Sequence, residues 1–152
     1  MKHFVVLLFV AALAAGAAYF NVVPKATSSN DIAAVRIGEA VISAEVAKTE
    51  QEIARGLSGR EALPKGSGML FVFDEPGKYG FWMKNMKFSL DIVWIRDNAV
   101  IGISEGLEPE GELPVHTYRP SEPVNYVLEV PAGFVEKNGI RIDSPVFYVY
   151  RE

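Results

Sequence analysis

Cysteine is absent from the 152-residue chain, and histidine occurs only twice. The missing thiols exclude cysteine nucleophiles, disulfide bonds, cysteine-ligated zinc and a lipidated N-terminal cysteine. With only His3 and His116 available, a site built from several histidine ligands cannot form. Met69, Met83 and Met86 could ligate copper(I), but methionines within predicted strands more often fill the core. We therefore expect no metal and no other cofactor.

Positive charge is also scarce. The chain has 15 lysines and arginines against 19 aspartates and glutamates, and its formal net charge is −4. A nucleic-acid-binding domain is typically basic, with lysines and arginines clustered on one face. Here the acidic residues are spread along the chain, so the composition predicts no nucleic-acid partner.

A long uncharged apolar run occurs only near the N-terminus, from Phe4 to Phe20. A lysine precedes it, and Ala15-Gly16-Ala17 offers small residues at the spacing of a signal-peptidase site. The run is at the short limit for a membrane-spanning helix. We therefore interpret residues 1–20 as a signal peptide or, alternatively, as an anchor that would hold the protein at the inner membrane. Both interpretations predict export to a periplasmic or otherwise extracytoplasmic location.

Residues 21–31 are polar and show no periodicity, which indicates a flexible linker before a folded domain at residues 32–152. At the start of this domain, Ala33–Ala47 alternates like a β-hairpin with its turn at Gly38-Glu39. Thr49 and Glu52 then have the spacing of a capping box, which predicts a short helix from Glu50 to Arg55.

Further short apolar or alternating segments follow one another through turns. The predicted strands are Met69–Phe73, Tyr79–Lys84, Leu90–Ile95, Ala99–Ser104, Val124–Val130 and Pro145–Tyr150. The segment "AGFVEKN" predicts one helical turn closed by Gly139. Because no long helical crossovers separate the strands, the pattern favours a mainly β fold with minor α content. We expect a compact curled antiparallel sheet or a small barrel with one or two short helices.

Several motifs of this domain resemble those of the DUF192 family. They are the Gly56-Leu57 segment ending at Arg60, Gly68–Phe73, Phe81–Asn85, Leu90–Ile92 and Tyr126–Gly133. The similarity extends over nearly the whole predicted domain, from Val35 to Val149. The family comprises small, often exported bacterial and archaeal proteins of unknown function. The resemblance therefore implies a compact, mostly β fold with a curled sheet, and it implies no established activity.

The chain departs from the family pattern in three places. Met86 stands where threonine is usual, and Asp143-Ser144 stands where Gly-Asp is usual. Cysteines that some members carry before the last strands are absent, so a redox role of those relatives does not transfer to this chain.

Asp91 raises the main functional question, because it lies in an otherwise apolar predicted strand. A buried carboxylate must meet a cation, accept several N–H groups or remain protonated. Lys84 and Arg60 are the candidate cations, and Trp82 could serve as a platform for a flat polar ligand. With Asn85 at the strand end, we predict a ligand-binding site formed by Arg60, Trp82, Lys84, Asn85 and Asp91.

The same residues allow a structural interpretation. Asp91 could form a buried ion pair or cap the turn at Asn85–Ser89, and the cluster would then only hold the fold. Trp94 lies on a purely apolar strand face, which predicts that it fills the core.

The preferred function is a non-catalytic binding or interaction module for a small polar or anionic ligand, such as an envelope saccharide. An envelope enzyme is the alternative, with Asp91 as general acid or base beside Lys84 or Arg60. A hydrolase in which His116 activates Ser89 or Ser121 lacks the Gly-x-Ser-x-Gly elbow.

Overall fold

The computed structural model describes residues 32–151, and the predicted leader and linker lie outside this range. Within it, seven strands and two short helices follow each other along the chain. The elements are β1 (Ile32–Ile37), β2 (Ala40–Ala47), α1 (Glu50–Arg55), β3 (Ser67–Gly77), β4 (Leu90–Arg96), β5 (Ala99–Leu107), β6 (Val124–Pro131), α2 (Phe134–Lys137) and β7 (Val146–Arg151). The predicted mainly β fold with two short helices is confirmed.

The strands form one curled sheet in the order β5-β4-β6-β3-β2-β1-β7. Neighbouring strands run antiparallel except β2 and β3, which are parallel. A parallel pair needs a crossover connection, and here α1 and the loop that follows it supply that connection. Neither helix of the described chain is long enough to cross a membrane.

The first hairpin and the first helix form as the sequence predicts. Gly38 turns the chain between β1 and β2 with φ +60°, a value that glycine adopts without a steric penalty. At the start of α1, the Thr49 hydroxyl accepts the Glu52 amide and the Glu52 carboxylate accepts the Thr49 amide. This reciprocal capping satisfies two amides that have no partner within the helix.

The two faces of the sheet carry separate apolar clusters. The first cluster lies on the face that includes Val93 and Ile95 of β4, and it packs against Val135 of α2. The second cluster lies on the face that includes Ile92 and Trp94. Irregular segments that contribute Leu57, Phe81, Met83 and Met86 cover this second face. Trp94 is buried there, as predicted, and its indole N–H donates to the Ser104 hydroxyl at 3.0 Å.

The predicted strand at Tyr79–Lys84 is wrong. This segment forms only isolated bridges, between Phe81 and Tyr118 and between Lys84 and Glu110. Its alternating apolar side chains do not reflect a strand, because Phe81 and Met83 are anchors that fill the second cluster. The preceding strand β3 is longer than predicted, since it continues to Gly77 through a register shift after Val72.

Candidate functional site

Asp91 is completely buried in β4, and backbone amides satisfy its carboxylate. One oxygen accepts the Gly106 amide at 2.9 Å, and the other accepts the Val135 amide at 3.1 Å. Gly106 lies where the β4–β5 register shifts, and Val135 lies in the first turn of α2. Of the predicted options, the one in which Asp91 accepts N–H groups is confirmed. An ion pair with Lys84 or Arg60 and a cap on the turn at residues 85–89 are both wrong.

Arg60 has a different partner. Its guanidinium forms a bidentate pair with Glu45 of β2, with nitrogen–oxygen distances of 2.5 and 2.7 Å. Hydrogen bonding to Arg60 lowers the pKa of the Glu45 carboxyl below its usual range. A planar guanidinium matches the two carboxylate oxygens, so this pair fixes the loop after α1 to the C-terminal part of β2.

Lys84 and Asn85 are held mainly through their backbones. The Lys84 carbonyl accepts the Ser58 hydroxyl at 2.8 Å, and the Asn85 carbonyl accepts the Gly59 amide at 3.0 Å. Asn85 has φ +55°, a left-handed conformation that asparagine tolerates. These bonds place the loop that contains Lys84 and Asn85 beside the loop that contains Arg60.

The five predicted site residues therefore do not form one cluster. The carboxylate of Asp91 points into the first cluster together with Val93, on the opposite face from the loops that contain Arg60 and Lys84. Trp82 is half exposed on the second face, where it lines a cavity. Ligand binding by these residues remains a prediction.

The cavity beside Trp82 has a volume of about 200 Å³. Residues 53–58 of α1 and its following loop form one wall. Aromatic rings form much of the remainder, and Glu129 of β6 also lines the space; the rings belong to Phe71, Phe73, Tyr79, Phe81 and Trp82. We call this space the Glu129 cavity.

The rings of the cavity brace one another. Phe71 and Phe81 meet edge to face with centroids 4.9 Å apart, and Phe73 stacks on Tyr79 at 3.6 Å. Phe81 also meets Trp94 edge to face at 5.6 Å. Tyr79 is further fixed because its hydroxyl donates to the Glu75 carbonyl at 2.6 Å. The aromatic wall is therefore held in place before any ligand enters.

Glu129 is the unusual polar residue of the cavity. It is 5% exposed, and its side chain shares the second face of β6 with Val127. Its cross-strand neighbours are Met69 and Ile92, both apolar and buried. Within residues 32–151, no side chain or backbone amide forms a hydrogen bond or ion pair with its carboxyl group.

Burial determines the charge of Glu129. Removal from water disfavours the ionised form and raises the pKa of the Glu129 carboxyl to about 8. The side chain is therefore mostly neutral at pH 7, when it carries both a hydroxyl donor and a carbonyl acceptor. An unpartnered group of this kind in a cavity is available for a ligand.

Sequence reasoning missed Glu129. The alternation in "VNYVLEV" places Val124, Tyr126, Leu128 and Val130 on one face of the strand and Glu129 on the other. That face is also covered, by segments far from β6 along the chain. A signal was nevertheless present, because Glu129 lies inside the motif Tyr126–Gly133 that carries part of the family resemblance.

The hydrolase arrangement that the sequence made improbable does not form around His116. His116 lies with Nδ1 2.7 Å from a Glu110 oxygen, and its ring is largely exposed. The Ser89 hydroxyl donates to Glu108 at 2.9 Å instead of meeting an imidazole. The Asp91 carboxylate is bonded to backbone amides and does not meet His116.

A second, wider cavity of about 480 Å³ lies between the loop containing Lys65 and the start of α2. Lys137 and Asn138 line its opposite side. None of its lining residues is buried, so it contains no buried polar group comparable to Glu129.

Comparison with solved structures identifies similar folds. A candidate transcription regulator from Sinorhizobium meliloti 1021 is 28% identical, with a TM-score of 0.70. The match covers 78% of this chain and 92% of that protein. A protein of unknown function from Novosphingobium aromaticivorans DSM 12444 is 31% identical, with a TM-score of 0.67. That match covers 76% of this chain and 83% of the other.

No curated protein is significantly similar to the chain in sequence. The model of the DUF192 family, which is described as "Uncharacterized ACR", matches residues 33–147. This match covers nearly the whole described domain, in agreement with the motif resemblance. The chain belongs to the DUF192 family.

Proposed function

We propose that this protein is an exported, non-catalytic binding module and that its ligand site is the Glu129 cavity. The observation that carries the proposal is the buried Glu129 carboxyl, which faces the cavity and has no partner among the described residues. A neutral carboxyl offers one hydrogen-bond donor and remaining acceptor capacity. A ligand that enters the cavity can form these hydrogen bonds.

The cavity has the general features of a small-molecule site. Such sites are concave, largely apolar and preformed, with a few polar groups that fix the ligand's orientation. Here braced aromatic rings supply the apolar walls, Glu129 supplies the polar group and half-exposed Trp82 borders the entrance. The expected ligand is small and carries one polar group on a compact body.

The anionic ligand expected from the sequence has less support. It depended on Arg60 and Lys84 acting together near Asp91. Arg60 is paired with Glu45, and Asp91 lies on the other face of the sheet. The positively charged residue that lines the Glu129 cavity is Arg55, and it is exposed to solvent.

An acid–base enzyme is the second candidate, because a glutamate with a raised pKa can transfer protons near neutral pH. The cavity does not offer a second buried titratable group or an activated nucleophile among its lining residues. Ser58 contributes a hydroxyl to the cavity lining, but this hydroxyl donates a hydrogen bond to the Lys84 carbonyl. Binding without catalysis therefore has the better support.

The transcription-regulator description of the Sinorhizobium meliloti relative is not transferred to this chain. Major-groove readers usually insert a recognition helix flanked by basic residues. The described helices here have six and four residues, and the chain has a net charge of −4. The extracytoplasmic location is retained in the proposal because of the apolar run at residues 4–20.

A thermal-shift screen of the full chain tests this function. Saccharides, organic acids, amines and nucleotides would be screened against the parent, Trp82→Ala and the control Leu113→Ala. Leu113 is exposed and does not line the cavity. A ligand should raise the melting temperature of the parent and control by mass action, and Trp82→Ala should weaken this shift. Equal shifts in all three proteins, or no stabilising compound, would contradict the proposal.

A further inference from the structure

The Glu129 cavity combines two features that recur where proteins bind positively charged nitrogen. One is the unpartnered acidic side chain on β6, and the other is the set of aromatic rings around it. A ring face carries negative electrostatic potential and attracts cations, and cages of such rings bind quaternary ammonium groups.

Building on the proposed binding function, we propose that the ligand of the Glu129 cavity carries an ammonium group. On binding, the Glu129 carboxylic acid loses its proton to solvent and becomes the carboxylate counter-ion of the ligand. No bond other than the O–H bond breaks, and the charge of the complex balances. The aromatic rings hold the remaining faces of the ammonium head.

None of the described residues supplies this cation. Arg55 lines the cavity from the end of α1, but it is exposed, and its charge acts on Glu45. Arg60 is paired with Glu45 of β2. Glu45 lies opposite Met69 of β3, and Met69 lies opposite Glu129 of β6. Two strand spacings separate the Glu45 and Glu129 backbones by about 10 Å, and burial alone, without a neighbouring cation, accounts for the raised pKa of Glu129.

The other groups named around Glu129 are apolar side chains and one phenol. Met69 and Ile92 flank it on the neighbouring strands, and Tyr79 faces the cavity from the irregular segment with its hydroxyl bonded to Glu75. An incoming ammonium group would therefore be the main favourable charge for the carboxylate. Such a charge lowers the pKa of an adjacent carboxyl, which couples ligand binding to proton release.

This coupling has a defined sign. A ligand with a fixed positive charge binds the ionised carboxyl, which becomes the dominant form as the pH rises through about 8. Between the pKa of the carboxyl in the complex and that value, affinity should increase with pH by up to about tenfold per unit, because binding releases a proton. Above it, affinity should level off. A ligand that instead needs the neutral acid would show the opposite trend.

Choline is the primary probe because its charge does not titrate. Its control is the uncharged carbon isostere, in which a quaternary carbon replaces the nitrogen. Calorimetry on the full chain, in buffers of different ionisation enthalpy, would give the affinity and the number of protons released. A soluble short-chain phosphatidylcholine and n-butylammonium form two further arms. Preference for the phospholipid would identify a lipid head group as the source, and preference for a free amine would identify a small metabolite.

The expected result is at least tenfold tighter binding of choline than of its isostere near pH 8, with release of about one proton per ligand below that pH. Glu129→Gln keeps the size of the side chain and should reduce the preference and abolish the pH dependence. Equal binding of choline and isostere, or unchanged choline binding by Glu129→Gln, would overturn the ammonium assignment. If choline and its isostere bound equally and Trp82→Ala lost the binding of both, the ammonium assignment would fail while the Glu129 cavity would remain the ligand site. If no ammonium probe binds, this inference fails, whereas failure of the proposed function requires that the wider screen also finds no ligand.

Discussion

The Asp91 carboxylate accepts the Val135 amide at 3.1 Å and so joins the buried strand β4 to the first turn of α2. Its second oxygen accepts the Gly106 amide at 2.9 Å, which fixes the irregularity between β4 and β5. Asp91 therefore connects three elements on one face of the sheet, whereas Glu129 faces the cavity on the other. The two buried acids have different surroundings and different expected roles.

Asp91→Asn should destabilise the fold strongly. The amide of asparagine has a single acceptor oxygen, so its NH₂ group would face one of the two backbone amides. Loss of a charge-assisted hydrogen bond in a buried site should lower the free energy of unfolding by about 2–3 kcal/mol. Urea unfolding at neutral pH measures this change. The exposed Asp74→Asn serves as the control. An equally small effect of both substitutions would show that the hydrogen bonds of Asp91 do not stabilise the fold.

Glu129→Gln should change how stability depends on pH. The folded-state pKa of Glu129 is raised to about 8, from an ordinary value of 4.5. Between these values the folded protein holds a proton that the unfolded chain has lost, so stability falls as pH rises. The slope is about 1.4 kcal/mol per pH unit, and the loss is complete above about pH 8.

Glutamine cannot ionise, so the variant should lack this part of the slope and exceed the parent in stability at high pH. The measurement is the difference in free energy of unfolding between parent and variant at several pH values. Taking the difference removes the contribution of other titrating groups. Parallel stability curves for the two proteins would show that Glu129 titrates normally.

Arg60→Ala should have a small effect on stability and none on ligand affinity. The Arg60–Glu45 pair is bidentate, but about a third of each side chain remains exposed to solvent. A pair screened in this way is worth about 0.5–1 kcal/mol. A double-mutant cycle with Glu45→Ala at low and high salt would measure the coupling. A loss of ligand binding in Arg60→Ala would return Arg60 to the site predicted from the sequence.

The stabilisation from this pair should also depend on pH in the direction opposite to that of Glu129. Arg60 lowers the folded-state pKa of Glu45, so the stabilisation is present above the unfolded-state pKa of glutamate. It is lost as the pH falls through the lowered value. The same double-mutant cycle repeated in acid should therefore show a weaker coupling, and a coupling that grows in acid would contradict the assignment.

Gly68→Ala should disturb the pairing of β3 with β6. A Cβ atom at Gly68 would lie 2.5 Å from the Glu129 carbonyl oxygen, closer than such atoms can approach. Strands β3 and β6 would have to separate, at a cost of about 1–3 kcal/mol. Gly111→Ala is the matched control, because its Cβ would meet nothing within 4 Å. Thermal unfolding of both variants tests this prediction, and similar melting temperatures would count against it.

Features determined by neighbouring residues were predictable from the sequence. The capping box at Thr49 and Glu52 and the turn at Gly38 depend on residues a few positions apart. The mainly β architecture likewise follows from short alternating segments joined by turns. The burial of Trp94 was predictable because Leu90 and Ile92, which precede it on the same face of the predicted strand, are apolar.

Features that depend on distant segments were not predictable. The amides that bind Asp91 lie 15 and 44 positions away along the chain, so the sequence did not identify them. Phe81 and Met83 alternate like strand residues, although they anchor an irregular segment to the sheet. Glu129 was missed because the cover over its face of β6 comes from several separate parts of the chain.

A carbon NMR titration of the Glu129 side-chain carboxyl in the full chain, with and without saturating choline, tests most directly whether Glu129 binds an ammonium group. We expect a midpoint near pH 8 for the free protein and a midpoint lower by more than about one pH unit in the presence of choline. A free-protein midpoint near the ordinary value of 4.5, or a midpoint that choline does not move, would contradict this proposal.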